Sequence, residues 1–273
     1  MTAFTEMLRA RTAAADSMLC VGLDPNPARF PKPLAGKEGA LYDFCRGIVD
    51  ATGDLVCAFK PQIAYFASCG AEDALEEIIA YIHRTCPGVP VILDAKRGDI
   101  GSTAEHYAKE AFERYGADCV TLSPYMGFDT IEPFLAYREK GAFILCRTSN
   151  PGGADIEMLR TEAGDMVFER IAKLAAGSWN KNGQLGLVVG ATYPKELADV
   201  RALAPELPLL VPGIGAQGGD IRAAVKAGLD ARGAGMVINS GRAILYASSG
   251  EDWREAARQA ARATRDAINA ARA

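Results

Sequence analysis

Histidine is nearly absent from this chain. Its 273 residues include only His83 and His106. A multi-histidine metal centre is therefore excluded, and each of the two reads as a helix-surface or packing residue rather than a ligand. Paired cysteine is also missing. The seven cysteines (20, 45, 57, 69, 86, 119 and 146) are odd in number and form no C-x-x-C pair. Several lie inside apolar runs, where a free thiol behaves as a small hydrophobe. This usage predicts a reducing, cytoplasmic setting. An excess of positive charge is lacking too: the formal net charge is −4, which leaves no basic footprint for nucleic acid. No apolar run approaches the roughly 20 residues of a membrane span. Met1 to Ala15 alternates charge with alanine and lacks the apolar middle of a signal peptide. There is no short-period repeat and no low-complexity segment. The proline-rich stretch Pro25–Pro33 reads as a loop, not a linker between domains.

What is present is apolar: 49% of the chain is hydrophobic, enough for a substantial core. Short β-branched runs recur with helical patterns between them. The candidate strands are Met18–Asp24, Val56–Gln62, Val89–Lys96, Cys119–Pro124, Ala142–Ser149, Gly186–Thr192, Pro208–Gly213 and Gly235–Ser240. They are nearly all apolar and are bounded by Gly, Pro or charge, as strands buried on both faces should be. Between them, Ala71–Cys86 places Ala74, Leu75, Ile78, Ile79 and Ile82 at helical spacing. Ser102 or Thr103 is expected to cap a helix running to Tyr115, and Glu251–Arg272 reads as a long closing helix. Eight βα units with no linker predict a single (β/α)8 barrel over residues 1–273. A doubly wound open sheet competes, although it more often uses fewer strands.

The most informative stretch is Asp94-Ala95-Lys96-Arg97-Gly98-Asp99-Ile100, directly after the apolar Val91-Ile92-Leu93. Alternate residues of a strand share a face, so Asp94 and Lys96 are expected to be neighbours at the mouth of a barrel. The bland reading is a structural ion pair closing the strand. The other predicted strand ends add Asp24, Lys60, Ser149, Pro212 and Gly241-Arg242. Functional residues of a barrel come from such C-terminal ends. Two lysines and three aspartates converging there would offset one another's desolvation. Pro212-Gly213-Ile214-Gly215-Ala216-Gln217-Gly218-Gly219, running into a helix near Asp220, suits an anion, as does Gly241-Arg242. The bland alternative is a plain tight turn. Loops after strands 7 and 8 are the usual phosphate site of this fold.

Asp94-x-Lys96-x-x-Asp99-Ile100 resembles the signature of the orotidine 5′-phosphate decarboxylase family. Cys20-Val21-Gly22-Leu23-Asp24, Phe59-Lys60-Pro61, Thr148-Ser149-Asn150-Pro151-Gly152, Pro212–Gly219 and Ser240-Gly241-Arg242 resemble further segments of that family, in the same order. The chain length is similar to the longer-chain bacterial subgroup. The resemblance implies decarboxylation of orotidine 5′-monophosphate to UMP in pyrimidine biosynthesis, with no cofactor and no metal. It implies that Lys96 protonates C6, that Asp94 lies near the substrate carboxylate, and that Lys60 pairs with and orients Asp94. Asp99 would complete the array from the second subunit of a homodimer with shared active sites. Asp24 and Thr103 would bind ribose hydroxyls with Ile100 near them. Ser149 would read the pyrimidine edge, and Gln217, Gly241 and Arg242, alongside Pro212, would hold phosphate. Related sugar-phosphate enzymes that share D-x-K-x-x-D use Mg²⁺ and carry an acidic ligand where this chain has Lys60. A Schiff-base aldolase using Lys96 or Lys60 and a non-catalytic sugar-phosphate-binding barrel are the other readings.

Overall fold

The computed structural model describes residues 3–214 and 220–272. Among them are eight strands: β1 Leu19–Leu23, β2 Ala58–Pro61, β3 Ile92–Arg97, β4 Cys119–Leu122, β5 Gly141–Arg147, β6 Leu185–Val189, β7 Leu209–Val211 and β8 Met236–Ser240. Every pair in the order β2-β1-β8-β7-β6-β5-β4-β3 is parallel. The bridges Phe59 to Val91 and Gln62 to Asp94 join β2 to β3 and close the ring. Each expected strand is present within a few residues of its predicted ends, and the fold is a (β/α)8 barrel rather than an open sheet.

Two-residue periodicity explains how the barrel interior passes from apolar to charged along its strands. Leu19, Val21 and Leu23 of β1 face the shell between strands and helices, together with Phe59, Leu93 and Ile144. Inward positions fill a separate cluster of Cys20, Ala58, Ile92, Cys119, Phe143, Val188, Leu210 and Val237. Two residues further along β2, β3 and β8, the same inward rows become Lys60, Asp94 and Asn239. The barrel is thus apolar below and charged above. The helix Phe4–Ala15 closes the lower end. Phe4 meets Phe143 edge-on at 6.0 Å, and Gly141 is required there because a Cβ would stand 2.3 Å from the Phe4 ring.

All seven cysteines are free. Burial pushes the Cys57 thiol up to about 12, so it serves as packing and not as a nucleophile. His83 lies on the helix Glu72–Thr85 and contacts Asp118 at 2.9 Å across to the start of β4. The predicted helix cap at Ser102 or Thr103 is not formed. The helix begins at Gly101 with Ile100 in the N-cap position, and no side chain caps it. Its last turn widens into a π-turn over Glu110–Arg114. No described helix is long and apolar enough to cross a membrane.

Candidate active site

The upper end of the barrel opens into a cavity of about 460 Å³. Asp94 sits at its base and is 7% exposed, beside Lys60 at 4%. Lys60 Nζ donates to Asp94 Oδ2 at 2.6 Å, and Lys96 Nζ donates to Asp94 Oδ1 at 2.6 Å. Burial alone would raise the Asp94 pKa. The two ammonium groups reverse that and hold the carboxyl well below its usual range. Burial likewise opposes charge on Lys60, but Asp94 and then Asp24 keep it protonated, with its pKa raised. The array is a cation–anion–cation line facing the cavity.

Lys96 reaches Asp94 by a route that alternation does not describe. Its φ is +47°, in the left-handed region that lysine rarely adopts. The β3–β4 register shifts between Leu93 and Arg97 at this point. Thr121 of β4 stabilises the kink. Its hydroxyl accepts from the Ala95 and Lys96 N–H groups, each at 3.0 Å, and donates to Asp94 Oδ1 at 3.0 Å. One buried hydroxyl therefore fixes both the carboxylate and the backbone bearing the second lysine. Strain held in place by surrounding bonds is typical of functional positions. Thr121 was not singled out from the sequence.

Asp24 follows β1 and lines the same cavity. Burial raises its pKa, with Lys60 opposing. Its Oδ1 is buried without a partner, as is Asn239 Oδ1 on β8. Both are buried acceptors that no donor among the described residues satisfies. Tyr246 secures this corner: its hydroxyl donates to the Asp24 carbonyl at 2.9 Å and accepts from Asn26 N–H at 2.7 Å. Asn239 and Tyr246 were also missed by the sequence reading. Thr148, Ser149 and Asn150 line another side, and Pro212, Gly213, Gly241 and Arg242 line the end beyond β7 and β8. Asp220 caps the helix that follows, its Oδ1 accepting from Arg222 and Ala223 N–H groups. Gln217 lies outside the described residues.

Within one chain, three of the expected site residues stand apart from this cavity. Asp99 bonds its own loop, Oδ1 accepting from Ile100 N–H at 2.8 Å. Ile100 is 51% exposed, and Thr103 is exposed on the next helix. The adjacent loop after β4 presents Tyr125 and Met126 to solvent. Among the described residues, no group of three or more His, Cys, Asp or Glu side chains could hold a metal ion.

The chain is similar to known proteins along nearly its whole length. It is 66% identical over 272 residues to the orotidine 5′-phosphate decarboxylase of Paracidovorax citrulli, covering 98% of this chain and 99% of the relative. The corresponding enzyme of Ralstonia pickettii is 64% identical over 266 residues, covering 97% and 98%. The structure of Leishmania donovani OMP decarboxylase superposes with a TM-score of 0.86 at 43% identity, covering 99% of both chains. The model of the orotidine 5′-phosphate decarboxylase / HUMPS family matches residues 17–260, from the approach to β1 into the closing helix. Every strand end that builds the cavity falls inside that span, and this chain belongs to the orotidine 5′-phosphate decarboxylase / HUMPS family.

Proposed function

We propose that this chain, acting as one catalytic barrel over residues 1–273, decarboxylates orotidine 5′-monophosphate to UMP and CO2, a step of pyrimidine biosynthesis. The observation that carries the reading is the Lys60–Asp94–Lys96 array at the base of a cavity long enough to reach the loops after β7 and β8. Loss of CO2 from C6 leaves an electron pair in the plane of the ring, with no adjacent π system to receive it. Preorganised charge is what a protein can offer such a centre. Lys96 places its ammonium beside C6 and donates the proton that replaces CO2, becoming a neutral amine that solvent reprotonates. Asp94 faces the substrate carboxylate and fixes both lysines. Lys60, the more buried, holds Asp94 in place. Asp24 and Asn239 accept from ribose hydroxyls, and Ser149 reads the pyrimidine edge. Pro212, Gln217, Gly241 and Arg242 hold the phosphate, whose binding energy helps to organise the site. Free thiols throughout suit a cytoplasmic workplace.

A buried lysine paired to Asp94 stands where the Mg²⁺-dependent sugar-phosphate relatives would need an acidic ligand. The test is loss of orotidine 5′-monophosphate absorbance in excess EDTA. Activity is expected to persist. Activity that disappears and returns with Mg²⁺ would transfer the chain to those relatives.

The remaining residues fit a homodimer with shared sites. Asp99, Ile100 and Thr103 lie on the rim after β3, and exposed Tyr125 and Met126 lie beside them. A two-fold interface over this rim would deliver Asp99 of the partner subunit to the Lys96 side of the cavity and build two equivalent composite sites. Lys96→Ala and Asp99→Ala subunits, each nearly inactive alone, are then mixed and allowed to exchange. Each hybrid dimer has one doubly defective site and one intact site. About half the dimers are hybrids, so roughly a quarter of wild-type sites should return. Demonstrated exchange with no recovery would place Asp99 within its own chain's chemistry or outside it altogether.

A further inference from the structure

Ser149 sits on an irregular loop just beyond β5, yet a group that reads a substrate edge needs its position fixed closely. The loop is held from two sides. On one side, Thr192 Oγ1 donates to the Ser149 carbonyl at 3.2 Å. Gly190 lets the strands approach, since a Cβ there would stand 2.7 Å from Ser149 Cα. On the other side is Glu157. Its Oε1 accepts from the Thr148 hydroxyl at 2.6 Å. Its Oε2 accepts from the Thr148 backbone N–H at 3.0 Å and from Arg147 Nη1 at 2.9 Å. Gly153 makes room for this carboxylate, because a Cβ there would stand 2.6 Å from Oε2.

Arg147 is the last residue of β5 and is 2% exposed. Its guanidinium lies 3.8 Å from the centre of the Tyr193 ring, and Nη1 also donates to the Thr148 carbonyl at 3.1 Å. It is a rigid post at the barrel rim. Glu157, the last residue of the short helix Ala154–Glu157, bridges to that post and takes both donors of the residue immediately before Ser149. Charge-assisted bonds of this kind are stronger and more directional than neutral ones. Thr148 and Asn150 flank Ser149 and line the cavity, whereas Glu157 does not. Glu157 therefore reaches the substrate only through the loop.

We infer that Glu157 is a positioning residue for pyrimidine recognition: by chelating Thr148 against Arg147 it sets the placement of Ser149. This rests on the reading of Ser149 as the pyrimidine contact. Its effect should fall on affinity for the base and leave the phosphate contacts alone.

The full-length protein is assayed with UMP and with ribose 5-phosphate as competing inhibitors of decarboxylation. Glu157→Gln keeps the size and one acceptor but loses the charge. It should weaken UMP and raise KM by about tenfold, the loss of one charge-assisted bond, with ribose 5-phosphate inhibition and kcat little changed. Thr148→Val, which removes the hydroxyl at constant shape, should act in the same direction and serves if Glu157→Gln fails to fold. In a Ser149→Ala background, Glu157→Gln should add nothing, because both changes remove one contact. Equal weakening of UMP and ribose 5-phosphate, or full additivity with Ser149→Ala, would reduce Glu157 to general loop support and overturn the inference. If Ser149→Ala alone leaves UMP binding intact, the reading of Ser149 falls first and takes the inference with it.

Discussion

Lys96→Ala should lower turnover by roughly 10⁴-fold, the upper end of what one proton-transferring group supplies, while UMP still binds. Lys96 is the more exposed lysine of the array, its side chain 48% exposed against 5% for Lys60. The residues proposed to hold phosphate and ribose lie elsewhere on the rim and are untouched by the substitution. Fold is not at issue, because alanine keeps the same Cβ at φ +47° and the Thr121 bonds go to backbone N–H groups. Wild-type turnover in D2O should place deuterium at C6. The variant is measured by single-turnover decarboxylation and by UMP titration. A near-normal rate would end the role proposed for Lys96. A lost rate accompanied by lost UMP binding would mean that the lysine organises the site and does not supply the proton.

The chemistry was legible because a parallel barrel writes it at the ends of apolar runs. Val91-Ile92-Leu93 followed by Asp94, and Val56-Cys57-Ala58-Phe59 followed by Lys60, pass from interior to rim within one strand, and the hydrophobic pattern marks the step. Residues whose role depends on pairing between distant strands carried no such mark. Thr121 reads as an ordinary β-branched strand residue in Cys119–Leu122. Only the β3–β4 register, with its irregularity near Lys96, brings its hydroxyl to Asp94. The left-handed backbone at Lys96 was equally hidden, because plain alternation predicts the same lysine–aspartate contact. Asn239 stood in an already noted strand end but carries no charge to draw attention. Ser102 and Thr103 do not act as caps because the chain, which passes close to Ser123 just beyond β4 at Gly98, enters the helix earlier, at Gly101. Asp99 is a different case: the sequence singles it out, but among the described residues of one chain its side chain bonds only within its own loop.

Asp94→Asn should cost both activity and stability, and the pH dependence distinguishes a stranded charge from ordinary misfolding. In the wild type, Asp94 has a pKa depressed by Lys60 and Lys96 against the effect of burial. Its contribution is therefore present above the unfolded carboxyl value and fades only as pH falls toward its own lower value. Lys60 has a raised pKa, so its contribution is present below the ordinary lysine value and is lost only as pH climbs through its own higher one. Stability from the pair is flat across neutral and mildly alkaline pH. Asparagine removes the anion and leaves Lys60 buried with only Asp24 to offset it. Breaking a buried pair from one side costs about 3–5 kcal/mol, which lowers Tm on the order of 10 °C in a chain of this size. Burial then dominates Lys60 and drives its pKa below the ordinary value, so the variant should gain stability with rising pH while the wild type does not. Adding Lys60→Met removes the stranded cation and should recover much of the Tm with no return of turnover. Thermal melts from neutral to alkaline pH decide the matter. Parallel wild-type and Asp94→Asn profiles, or no rescue by Lys60→Met, would show that Lys60 and Asp94 are not energetically coupled as their 2.6 Å contact implies.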